Sequence, residues 1–500
     1  MDSQNSILQR AWAYQVEGMF DRAIDCYTKA LEADPDCAGA YHNLGLIFRE
    51  KGEDYAALSY FGSAVRIDPE FAMAYRERAW LHHKLGNYGE ALVDSTAAIE
   101  LEPDSPLSFV SRGLLLRDMG RVEDAIDDFT TAVEIDPEHA SAYAHRGAAL
   151  NMMGRFKRAI RDLDLAVEYD DLNYENYICR GDAHYNNEDL DRAIADYTRA
   201  LELEPGCAEA YDKRGDSYAV KGENDKAIED YNRARMIDPD EGVYCRHMGQ
   251  TFAAMGELDQ AMQQYNFALE LMPDDHRAYN LRGQLYFMLG VYRHAIEDQT
   301  HAIDMRPDMG RYYYDRAVAH GSLGFHHKAI EDYSAAIDLD PYLLDALYNR
   351  GATHAVMGDY AAAILDFTRV VELNPYDAGA FCSRGRAHHE RGELAEAARD
   401  LTRAIELEPS MASAHFALGN VCGQKGDLAE AVSRFTRAAE LDPGDSRARF
   451  GRAYALDELG SGAEALSAYR EFLEHAAAAA DTDLDALVER ARERVRDLEG

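Results

Sequence analysis

Residues 208–241 read AEAYDKRGDSYAVKGENDKAIEDYNRARMIDPDE. On either side of Gly222, small and large residues recur three or four apart: Tyr211, Gly215 and Tyr218 before it, Ala227, Tyr231 and Ala234 after it. That spacing puts them on one face of each of two helices. Gly222 suits the turn between the helices because it tolerates positive φ. Pro239 stops the second helix, since it lacks an N–H and clashes with the preceding turn. The stretch therefore predicts a helical hairpin.

The same stretch recurs along the chain. Prolines stand at 35, 69, 103, 137, 205, 239, 273, 307, 341, 375, 409 and 443, all separated by multiples of 34, with Asp171 in the one missing slot. With this proline as position 32, fourteen 34-residue units cover 4–479 of the 500 residues. They run 4–37, 38–71, 72–105, 106–139, 140–173, 174–207, 208–241, 242–275, 276–309, 310–343, 344–377, 378–411, 412–445 and 446–479. Position 20 is Ala and position 8 is Gly or Ala in all fourteen, and position 27 is Ala in twelve. Position 24 is usually Tyr or Phe, a large knob for those small holes. Residues 480–500 carry Leu484, Leu487, Val488, Ala491, Val495 and Leu498 on one face, which predicts a capping helix over the end of the stack.

Two defects stand close together. Asp171 replaces the closing proline, and Glu188 replaces the turn glycine found in the other thirteen units. A looser turn or a small change of superhelical path is expected here, with Asn187 supplying the left-handed residue. Pro106, the one proline off the lattice, fits the first position of a helix.

The pattern Tyr211–Gly215–Tyr218–Ala227–Tyr231–Ala234–Pro239 resembles the tetratricopeptide repeat, departing only at Arg214, where the family has leucine. The resemblance covers about 95% of the chain. It implies an all-α solenoid, a right-handed superhelix of stacked hairpins whose first helices line a concave groove. It also implies a protein that binds a peptide or protein in that groove as a scaffold or adaptor. Self-association into a homo-oligomer is the alternative.

The net charge of −39 argues against nucleic-acid partners, and the absence of any long apolar run argues against membrane insertion. Without a leader-like N-terminus, a cytoplasmic location is expected. The seven scattered cysteines include no C-x-x-C pair, so neither a disulfide framework nor a zinc site is expected. No nucleotide-binding, zinc-protease or serine-hydrolase motif occurs, and only 24 residues lie outside the repeats. A non-catalytic protein without metal or cofactor is the expectation.

Part of the acidity belongs to the scaffold. Position 31 is acidic in ten of the first thirteen units, which suggests local hydrogen bonding or solubility. Position 23 is Asp in nine units, and all nine carry Arg at position 7 (Arg78, Arg112, Arg146, Arg180, Arg214, Arg282, Arg316, Arg350 and Arg384). This co-occurrence predicts a repeated Arg–Asp ion pair. By family analogy, positions 2, 5, 6, 9, 12 and 13 line the groove. There, Glu175, Asp182, Glu209, Asp212 and Asp216 form an acidic zone opposed by Lys213, suited to a partner with basic segments. Arg246, Arg277 and Arg311 form a basic zone, followed by Tyr314 and Tyr348, with Phe416 and Phe450 further on. Trp12 and Trp80 share position 9. The clamp with which some relatives hold chaperone C-terminal carboxylates is absent, because no three consecutive units supply its residues. Histidines at position 11 (His82, His184, His320, His354, His388) are a repeat step apart, too far to share an ion, and read as substitutes for a half-buried tyrosine.

Overall fold

The computed structural model describes residues 2–479 and 484–499, with side chains over 6–477 and 484–499. Among these residues the chain forms 29 helices in paired hairpins and no strands. They belong to two compact units, Met1–Glu257 and Leu258–Gly500. The division falls between the two helices of a single repeat, Val243–Ala254 and Leu258–Leu271.

The hairpin read from residues 208–241 is a pair of helices, Ala208–Val220 and Asn224–Ile237. In both units the first helices of consecutive repeats also touch one another, so they share a face. Ala23, Ala57, Ala125, Ala193 and Ala227, all at position 20, are completely buried. The hole at position 8 is equally tight. A methyl group on Gly113 would stand 2.5 Å from the ring of Phe129, and one on Gly215 would stand 2.7 Å from Tyr231. Glycine there lets the two backbones close on the aromatic ring.

The turn between the helices follows from one backbone need. All thirteen glycines at position 15 have φ between +71° and +84°. Gly52, for example, donates its N–H to the Arg49 carbonyl, and Glu53 donates to that of Phe48, which ties off the end of the first helix. In the sixth repeat Glu188 itself takes φ +63°, while Asn187 stays at −87°. The expected role of Asn187 is therefore corrected: helix length fixes which residue must reverse the chain, and that is the one after Asn187. The turn keeps its hydrogen bonds, Glu188 N–H to Tyr185 and Asp189 N–H to His184. Removing the side chain at a positive-φ site relieves about 1 kcal/mol. Glu188→Gly is expected to raise the stability of the first unit by that amount in urea denaturation, and an unchanged midpoint would contradict it.

At the other defect, the Asn176 amide donates to the Ala166 and Asp170 carbonyls, both at 3.2 Å, and the Tyr177 hydroxyl to that of Asp171 at 3.1 Å. Side chains thus hold the turn that proline closes elsewhere. The acids at position 31 accept hydrogen bonds two residues on, as Asp68 does from Glu70 N–H and Asp340 from Tyr342 N–H, both at 3.0 Å. They organise the turn between repeats.

All nine Arg–Asp pairs form, each within its own repeat and each bidentate. Arg214 Nε and Nη2 lie 2.7 and 2.8 Å from the two oxygens of Asp230, and the other eight match within a few tenths of an ångström. In seven of them the remaining Nη1 reaches back to the second helix of the preceding repeat. Its acceptors are Thr130, Asp164, Thr198, Asn266, Thr300, Ser334 and Thr368. Each of these guanidiniums fastens two consecutive repeats. Eight of the nine also lie over the aromatic ring at position 4, as Arg214 does over Tyr211 at 5.5 Å.

The position-11 histidines pack beside these pairs. His184 and His320 are buried, with Nε2 at 3.9 and 3.8 Å from Asp196 and Asp332. Burial lowers the pKa of both imidazoles. In the C-terminal part, residues 480–483 and 500 of the expected capping segment lie outside the described residues. Asp485–Glu499 is a helix. Leu484 and Ala491 are buried with Tyr469 and Phe472, and Leu487, Val488, Val495 and Leu498 are half-buried around them. Arg494 holds Asp457 through two hydrogen bonds of 2.8 and 2.9 Å, which pins this helix to the last hairpin.

Candidate functional site

The acidic residues of the first unit sit on two neighbouring first helices, Tyr174–Asn186 and Ala208–Val220. Glu175 and Glu209 are exposed, while Asp182, Asp212 and Asp216 are partly buried. Asp182 and Asp216 have equivalent settings. Each accepts a 2.7 Å hydrogen bond from the buried tyrosine fifteen residues on, Tyr197 and Tyr231. Burial raises the pKa of both phenols far above the ordinary value, so they stay protonated and donate.

Two basic side chains face the five carboxylates. Lys213 lies 3.0 Å from Asp182 and 3.5 Å from Glu209. Burial works against its charge, but these carboxylates outweigh it and raise its pKa. His247, on the next first helix, places Nδ1 2.8 Å from Asp212 and 3.4 Å from Asp216. Burial raises the Asp216 pKa, His247 opposes that and Asp212 adds to it. A cavity of about 230 Å³ opens among Asn151, Asp182, Tyr185, Asn186, Lys213 and Asp216. His247 occupies position 6 of its repeat, a groove phase that a fuller reading of the sequence would have picked out.

The expected basic zone is only partly exposed. Arg246 is 7% exposed, so it belongs to the packed interior and is corrected from the list of open groove charges. In the second unit Arg277 and Arg311 are exposed. Arg311 covers the ring of Tyr314 at 4.8 Å and pairs with Asp315 at 3.1 Å. The half-buried Tyr314 and Tyr348 are held through their hydroxyls, by Asn349 at 3.1 Å and Ser383 at 3.0 Å. These hydrogen bonds tie down the outer ends of both rings.

Nearer the C-terminus, Phe416, Phe435, Phe450, Tyr454 and Leu487 line a mostly apolar cavity of about 550 Å³. Phe416 and Phe450 are the position-5 aromatics read from the sequence. Trp12 and Trp80 are exposed, at 61% and 47%. The Trp80 ring is flanked by Arg49 and Lys84, at 5.4 and 5.7 Å. All seven cysteines are free. Burial pushes the Cys179 thiol up to about 11, which keeps it protonated and unreactive at neutral pH.

No helix of the described residues is long and apolar enough to cross a membrane. Among solved structures, the chain resembles the Cut9–Hcn1 hetero-tetramer of APC/C, with 15% identity, a TM-score of 0.40, and coverage of 91% of this chain and 96% of that one. It also resembles a tetratricopeptide-repeat protein from Parabacteroides merdae, at 21% identity and TM-score 0.42, over 50% and 100% of the two chains. The MamA protein aligns at 24% identity and TM-score 0.33, over 35% of this chain and 95% of that one. A search of curated proteins finds no match.

Sequence profiles of the tetratricopeptide repeat match residues 6–37, 38–71, 56–106, 180–242, 276–309, 310–342, 344–377 and 423–482. A related TPR-repeat profile matches 113–154, 249–290 and 385–426. Repeats of this kind generally serve protein–protein interaction and are typically non-catalytic. With about 14 units spanning residues 6–482, the chain belongs to the tetratricopeptide-repeat family.

Proposed function

We propose that this protein is a non-catalytic adaptor that holds an extended, basic segment of another protein along the first helices of residues 174–254. One observation carries this reading. Five carboxylates share that face against a single lysine and a single histidine, and Glu175 and Glu209 are open to solvent. Packing inside the hairpins needs neither exposed charge, and an Arg- or Lys-rich segment gives Glu175 a partner and Glu209 a second one beside Lys213. The cavity between Asp182 and Asp216 is large enough for one side chain.

The test is fluorescence anisotropy with a labelled Arg/Lys-rich peptide, compared with its Glu-rich counterpart. Exposed ion pairs are worth up to about 1 kcal/mol each. Reversing two of them in Glu175→Lys/Glu209→Lys is expected to weaken binding at least tenfold, about 1.4 kcal/mol. Raising the salt should weaken the wild type as well. Equal binding of both peptides, or an unchanged affinity in the variant, overturns the proposal.

A further inference from the structure

We propose that Asp212, Asp216 and His247 form a binding site for a divalent transition metal, with zinc the best fit. One ligand atom from each residue lies within 4.8 Å of the other two. Asp212 and Asp216 are one helical turn apart on Ala208–Val220, so their carboxylates leave the same face. His247 comes across from Val243–Ala254, making the site a clasp between two repeats of the first unit.

Two of the three ligand separations have the right scale. Two ligands bound at about 2.05 Å are separated by about 2.9 Å at an octahedral edge and about 3.3 Å at a tetrahedral one. The Nδ1 of His247 stands 2.8 Å from an Asp212 oxygen and 3.4 Å from an Asp216 oxygen. A single imidazole nitrogen thus faces two separate carboxylates, yet it carries at most one proton, and that proton serves only one of them well. A metal ion in the same place binds the nitrogen lone pair and both carboxylates at once. One imidazole and two carboxylates favour zinc and its neighbours over calcium or magnesium, which prefer oxygen alone.

One feature outside the three ligands supports the assignment. The Tyr231 hydroxyl donates to Asp216 at 2.7 Å, and its ring lies 5.7 Å from that of His247. It holds a carboxylate and an imidazole in place, as outer partners do in metal sites.

The experiment uses the full chain, freed of metal by chelation, and titrates zinc chloride by calorimetry. One equivalent is expected to bind, and to raise the thermal midpoint. His247→Ala and Asp212→Asn are each expected to weaken that binding at least tenfold and to abolish the rise. Glu134→Gln, at an exposed carboxylate three repeats away, should bind as the wild type does. Cobalt(II) gives a second readout: its spectrum should lack thiolate charge-transfer bands, because no cysteine takes part. No saturable binding near one equivalent, thiolate bands, or wild-type affinity in both variants would overturn the proposal. None of these residues is changed in the peptide-binding test, so failure of either proposal leaves the other standing.

Discussion

Truncating Phe129 to alanine is expected to cost about 3–5 kcal/mol, because the ring is completely buried and the helices around it close to a glycine backbone. Phe129 fills the space beside Gly113 and lies in one apolar cluster with Ala125, Ala132, Ala142 and Ala149. These alanines cannot extend to fill the void, which leaves only Val110, Leu116 and Val133 among the buried members of the cluster to close on it. In an array each repeat rests on its neighbours, so the loss concentrates there. Hydrogen exchange should accelerate first in residues 106–152, with the second unit unaffected. A loss below about 1 kcal/mol would mean that the knob-and-hole account is wrong.

The second large effect is Asp230→Ala, expected to cost about 2–3 kcal/mol by leaving the Arg214 guanidinium without its bidentate partner. The side chains of Arg214 and Asp230 are 18% and 6% exposed, so water replaces the lost carboxylate poorly. Thr198 and the face of Tyr211 remain as contacts for the orphaned charge. The array already contains repeats without the pair: Leu44 and Leu418 stand at its arginine position, both buried. Arg214→Leu together with Asp230→Ala should therefore be less destabilising than Asp230→Ala alone. Urea midpoints of the three variants measure this, and a double variant worse than the single one would refute the explanation.

Much of this architecture was legible in the sequence because a strict period shows which residues change together. The nine Arg–Asp pairs were predictable from co-occurrence alone, and the buried alanines from their invariance. What escaped was set by neighbours rather than by phase. Arg246 has a groove position by count, but count gives only the direction in which a side chain leaves its helix, not how a long one then lies. His247 also stands at a groove phase, but its significance depends on two carboxylates in the previous repeat. At Glu188 the rule of thumb that asparagine prefers positive φ lost to helix length, which decides where the chain must turn.

The arginine that reaches back one repeat has a consequence for how such a chain can change size. Where the reaching guanidinium and a hydroxyl or amide acceptor recur at the same phases, the seam on either side of a unit is chemically the same. Excising residues 310–343 would bring Arg350 opposite Thr300 in place of Ser334, another hydroxyl at the same phase. Loss or duplication of such a 34-residue block therefore keeps this joint, and that part of the array can lengthen or shorten without redesign of it.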